Sequence, residues 1–177
     1  MPSGNTHDAI TFLLAVPAAI AGFVLTHSVV SASVVGVAFL FGGLMFGPDL
    51  DTVSRQYSRW SVLKFLWFPY RHFFKHRSRL SHGLVFGALI RVIYFMGAVT
   101  ATVLVGAAVW AAYSGGKMPD AAEIARVWRL IGGFVRANFG DNFMLIAFLG
   151  LWLGAASHTL TDVVGSFIKT GRIAKLF

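Results

Sequence analysis

Four short motifs place carboxylates and imidazoles at the ends of apolar runs. Asp49 and Asp51 close one run in "GPDLD", and His158 and Asp162 stand four residues apart in "HTLTD", on one helical face. His7 and Asp8 open the first run, while His76 and His82 lie in "HRSRLSH", ahead of the third. Four of the seven acids and four of the six histidines gather here. Imidazole with carboxylate is the donor set of zinc or manganese, and magnesium or iron(II) also falls within its range. His7, Asp8, Asp49, Asp51, His76, His82, His158 and Asp162 are too many ligands for one tetrahedral ion. The economical reading is one or two divalent ions with Asp49 or Asp51 bridging. Singly, each motif has a plain explanation: an interfacial histidine, a helix-ending aspartate, or a carboxylate at a helix dipole. Convergence argues for metal, because ionisable groups at a membrane are costly to keep.

The elements that must position these residues are membrane helices. Of 177 residues, 56% are hydrophobic and only 12% charged, about half the charged share of a soluble domain. The expected fold is all-α: one integral membrane domain over 1–177, built as a four-transmembrane-helix bundle. Spans are expected at about 8–25, 29–47, 82–113 and 143–161, each near the length a bilayer requires. Between them lie an interfacial segment, 52–81, and an amphipathic connection, 114–142. In the connection, Pro119-Asp120 opens a helix with Ile124, Val127, Trp128, Ile131 and Val135 at helical spacing, expected to cap the far face of the bundle. Thr6 is the expected cap of the first helix. "MPSGNTHD" lacks a basic n-region, so the first helix is expected to be retained. The absence of cysteine removes thiolate ligands and thiol nucleophiles.

Charge orients the bundle. The first turn has no Lys or Arg, whereas the 52–81 loop has seven and the C-terminal stretch adds Lys169, Arg172 and Lys175. The positive-inside rule puts both termini and that loop in the cytoplasm, with all four motifs on one face. "RWSVLKFLWFPYRHFFKHR" (59–77) mixes aromatic and basic residues and is broken by Pro69, as expected of a segment lying among lipid headgroups. The net charge of +8 follows this membrane pattern, and no nucleic-acid-binding motif accompanies it. His27, on the opposite face, and His72, at the interface, are set aside.

A divalent ion so held would acidify a water and polarise a phosphoryl oxygen, and the leading expectation is a hydrolase of a phosphoester in a lipid or amphiphile. His76 and Asp51 are the candidate catalytic residues, His76 as leaving-group acid or ligand. Arg55, Arg77 and Arg79 are candidates to hold substrate phosphate. Ser78 and Ser81 suit hydrogen bonding to a ligand better than nucleophilic attack. Arg91 either snorkels to the interface or lines the cavity. An extended "GPDLD" would aim Asp49 and Asp51 the same way, with Leu50 turned back.

"PDLD" closing a helix, "HRSRLSHG" opening the next and "HTLTD" ending the last resemble membrane-bound metal-dependent hydrolases of the YdjM type. "MPSGNTHDAIT" and "FLFGGLMFGPDLDTVSRQYSRW" are more similar still to a related group of membrane-bound metal-binding proteins common in photosynthetic bacteria. The resemblance spans nearly the whole chain but fades at 114–142. It implies a metal site, hydrolase chemistry without a settled substrate, and a bacterial plasma membrane or internal, thylakoid-type membrane. The partners expected are the bilayer, an anionic lipid or phosphoester, and other membrane proteins or a second copy. The rival expectation is a non-catalytic metal-binding membrane protein, a structural, assembly or accessory subunit. A haem or chlorophyll site has no use for several carboxylates, and a transporter would hold its charges at mid-membrane.

Overall fold

The computed structural model describes residues 3–74, 78–84 and 86–171. Every regular element among them is helical. Ser3, rather than Thr6, caps α1 (Gly4–Thr26): its hydroxyl accepts the Thr6 N–H. His27 ends α1 in the left-handed conformation (φ 51°), and Ser28 caps α2 (Val29–Leu44). The tight turn makes α1 and α2 a hairpin and gives His27 a structural task remote from the motifs.

The chain then breaks into short pieces. A 3₁₀ turn, Pro48–Asp51, is followed by α3 (Arg55–Ser58), a second 3₁₀ segment (Ser61–Trp67), α4 (Phe68–Phe73) and α5 (Arg79–His82). Long helices resume with α6 (Phe86–Ser114), α7 (Ala121–Phe139) and α8 (Phe143–Thr170). Among the described residues, four segments are long and apolar enough to cross a membrane: α1, Val29–Asp51, α6 and α8. Two boundaries differ from expectation. His82 ends the separate helix α5 instead of opening the third long helix, and α8 continues to Thr170, where left-handed Gly171 stops it. His158 and Asp162 therefore sit inside a helix, where their relative position is rigid.

Glycine sets how closely α2 and α8 approach. A Cβ on Gly42 would lie 2.1 Å from the Leu151 carbonyl oxygen, and one on Gly154 2.0 Å from that of Phe39. Gly150 and Gly154 form a small-xxx-small stripe, which in lipid replaces the absent hydrophobic driving force with backbone-to-backbone van der Waals contact. Thr11 of α1 presses on Gly43 and returns its own hydroxyl to the His7 carbonyl at 2.8 Å.

The 59–74 stretch is not one interfacial helix. Its inner side chains build an aromatic core, Trp60, Leu66, Trp67 and Tyr70 with Phe46 and Leu50, roofed by Tyr94 and Phe95 of α6. Trp60 Nε1 donates to the Met45 carbonyl (2.9 Å) and the Tyr94 hydroxyl to that of Leu66 (2.5 Å), giving these two rings polar partners. Val62, Phe65, Phe68 and Phe73 remain exposed on the outer side. α7 opens at Asp120 as expected, with an Asp120–Glu123 capping box, but buries no residue. Instead of capping the bundle, its Ile124, Val127, Trp128 and Ile131 face Val99 and Val103 of α6 across a cleft.

Candidate metal centre

The short pieces and the ends of α1 and α8 converge at one end of the molecule. His7 lies one turn into α1, and its ring stacks on His158 of α8, centroids 3.9 Å apart and planes 16° from parallel. His7 Nε2 is 3.2 Å from Asp162 Oδ1. One ligand atom each from His7, His158 and Asp162 lies within 4.8 Å of the others. His158 Nε2 is 3.2 Å from Asp49 Oδ2, and His82 Nε2 is 3.4 Å from Asp49 Oδ1. On its other nitrogen, His82 Nδ1 is 3.5 Å from Asp51 Oδ2 and 3.1 Å from the Ser81 hydroxyl. The result is a continuous row: Asp162, His7, His158, Asp49, His82, Asp51.

The two aspartates are not side by side, because "PDLD" is a 3₁₀ turn and not an extended strand. At three residues per turn, positions two apart leave the axis about 240° apart. Asp49 and Asp51 thus reach opposite nitrogens of one imidazole, and Leu50 points into the aromatic core. Asp49, with an imidazole at each oxygen, has the geometry of a bridging carboxylate. Asp51, its side chain fully buried, faces the far side of His82 as a carboxylate that fixes ring orientation would.

A divalent cation fits this donor set. His7 Nδ1, Asp49 Oδ1 and Asp162 Oδ1 are buried without a hydrogen bond, although both oxygens face imidazole nitrogens at 3.2 and 3.4 Å. Each orphaned polar group costs on the order of 1–3 kcal/mol, more when charged, which a cation among them would offset.

Gln56, buried on α3, is a residue the sequence did not single out. Its Oε1 accepts the Asp49 N–H (3.1 Å), and its Nε2 donates to the Gly43 carbonyl (2.8 Å) and lies 3.1 Å from His158 Nδ1. It locks the aspartate turn, α2 and the His158 ring together. With Nδ1 accepting from the Gln56 amide, the His158 Nε2 proton faces Asp49.

Asp8 does not join the row. Its Oδ2 accepts from Arg55 Nη1 at 3.2 Å and from Arg59 Nη2 at 2.5 Å. Arg55 also reaches Asn5, and Arg59 donates to the Leu44 carbonyl at 2.7 Å. An aspartate between two guanidiniums is an anchor for arginines, and its charge is already neutralised. Arg59 was not singled out either, though its i, i+4 spacing from Arg55 was a legible signal. A cavity of about 220 Å³ opens between the arginine corner and the row, lined by His7, Asp8, Asp49, Arg55, Gln56, Arg59 and His158.

Arg91 turns inward, fully buried, and donates to the Ser81 carbonyl at 2.6 Å. Beside it, burial pushes the Tyr70 phenol up, with the guanidinium pulling the other way. Ser78 and Ser81 hydrogen-bond to each other, and Ser81 to His82. His76, Arg77 and the Arg79 side chain lie outside the described residues, and His72 is exposed on α4.

The family model described as "Uncharacterized metal-binding protein (DUF2227)" matches residues 2–172 of this chain. An "Uncharacterized protein" of Aquifex aeolicus (strain VF5) is similar to it, 31% identical over 135 residues, which is 76% of this chain and 91% of that protein. No solved structure matches.

Proposed function

The chain belongs to this metal-binding family, and from that premise we propose that it is a metal-dependent hydrolase of the membrane surface. Its substrate is a phosphoester carried by a lipid or amphiphile. The observation that carries the reading is the cavity: His7, Asp49 and His158 border open space shared with two arginines, where a purely structural ion site would be closed by its ligands. His7, His158 and Asp162, with Asp49 and His82 beside them, would hold one or two ions, Asp49 bridging. A divalent cation supplies Lewis acidity toward water and a phosphoryl oxygen. Arg55 and Arg59 bind and orient the phosphate. Asp51 and Gln56 fix the His82 and His158 rings. The motifs "PDLD", "HRSRLSHG" and "HTLTD" support kinship with the YdjM-type hydrolases, and the basic 52–81 loop supports a cytoplasmic site.

One observation favours a second reading, in which the ion is a staple and not a catalyst: the donors come from four separate segments, α1, the 3₁₀ turn, α5 and α8. Zinc, manganese and iron content of the purified protein, beside Asp49→Ala and His158→Ala, tests the site, and unchanged content in the variants sinks it. A hydrolysis screen over phospholipids and simple phosphoesters, with and without chelator, tests the enzyme. A metal-loaded protein inert to every class leaves the staple.

A further inference from the structure

An apolar groove of about 670 Å³ runs between α1 and α2, lined by Phe12, Ala15, Ala19 and Phe23 on one side and Val37 and Leu40 on the other. Its floor is already in contact: a Cβ on Gly36 would lie 3.2 Å from that of Ala19, and one on Gly22 2.9 Å from the Val35 side chain. The groove therefore cannot close by bringing the helices nearer. From Phe12 to Phe23 it is about 16 Å long at 1.5 Å per residue, the scale of a long hydrocarbon chain.

What stands at the site end of the groove sets it apart from ordinary lipid-facing surface. Asp8 is one turn from Phe12 on the same face of α1, and Leu44, whose carbonyl holds Arg59, is one turn from Leu40 on α2. The groove thus leads to a corner with two guanidiniums and one carboxylate, an excess of one positive charge in the corner itself, and Asp49 stands across the adjoining cavity on the metal side. Apolar length ending in a basic corner is complementary to an anionic amphiphile.

We infer that the α1–α2 groove seats the hydrocarbon chain of the substrate, whose phosphate head lies at the Arg55–Arg59 corner. This rests on the reading of the adjoining cavity as a phosphoester site and adds the path by which a bilayer-borne substrate reaches it. The chain lies in the groove at bilayer depth, so the substrate need not leave the membrane.

The test is photolabelling of the metal-loaded full chain in phosphatidylcholine vesicles with hexadecyl phosphate bearing a mid-chain diazirine. Label is expected on peptides covering 12–23 and 33–40, competed by unlabelled hexadecyl phosphate but not by hexadecanol. Arg59→Gln should lower it about fivefold or more through loss of the charge-assisted contact. Val16→Trp, at the exposed lip, should lower it by occupying the groove. Label spread evenly over α6 and α8, crosslinks to a second copy of the chain, or equal competition by hexadecanol would each overturn the inference. Release of hexadecanol from hexadecyl phosphate, read separately, decides the hydrolase reading alone.

Discussion

The α1–α2–α8 body and the α6–α7 arm are packed in opposite ways, although α6 is as long and apolar as the helices of the body. α8 buries Gly150 and everything from Gly154 to Thr159, whereas α7 buries nothing and α6 buries only Gly87, Ala88, Arg91 and Ala111. All of the histidine and aspartate row except His82 and the aspartate turn is borne by the tight body. Glycine contact brings backbones close enough to fix side chains from different helices against one another, and a centre with ångström tolerances requires that. The contrast is plain at the glycines: a Cβ on Gly97 or Gly106 of α6 would meet nothing within 4 Å, whereas one on Gly42 or Gly154 would strike a backbone carbonyl.

The sharpest way to break this contrast is to add bulk on each side. Gly154→Leu or Gly42→Leu should cost about 3 kcal/mol or more by overpacking, a Tm loss on the order of 10 °C. Gly106→Leu should leave the Tm in detergent within about 2 °C, as expected for a surface change. Equal losses would show that α6 is packed as tightly as α8.

Next in size is the metal. Asp49→Ala and His158→Ala should abolish stoichiometric binding. Equilibrium dialysis reads this, and wild-type stoichiometry in either variant would exclude that residue as a ligand.

Gln56→Leu should weaken metal affinity by about 10–100-fold while leaving the fold intact, the usual effect of losing a partner that orients a ligand. A chelator-competition titration measures it, and loss of folded protein would instead make Gln56 a packing residue.

The smallest change belongs to the arm. Asp120→Ala removes the α7 cap at a cost of about 1 kcal/mol, with metal content unchanged. A drop in metal content would couple α7 to the site, against the contrast drawn above.

The sequence made the donor types legible because carboxylates and imidazoles are rare in an apolar chain and therefore conspicuous. His158 with Asp162 could also be placed on one face, since helical spacing is local. The pairing of Asp8 with arginines was not legible, because Arg55 and Arg59 are 47 and 51 residues away. Gln56 carried no signal, since an isolated glutamine in a polar loop is ordinary until Asp49, Gly43 and His158 are seen around it. The 3₁₀ turn at Pro48–Asp51 likewise depended on the buried Leu50 and the Gln56 bond, neither of which a four-residue window reveals.

By itself the sequence determined a helical chain with four apolar segments, the residue types of a metal centre and their grouping at helix ends. Hydropathy and helical period are properties of neighbours along the chain, so they can be read there. Tertiary structure decided which nitrogen faces which oxygen, that Asp49 stands between two imidazoles, and that Asp8 serves the arginines. His158 and Asp49 are 109 residues apart and meet only because glycines let α2 and α8 touch. Contact of that kind depends on the shape of two surfaces at once, which neither segment of sequence contains alone.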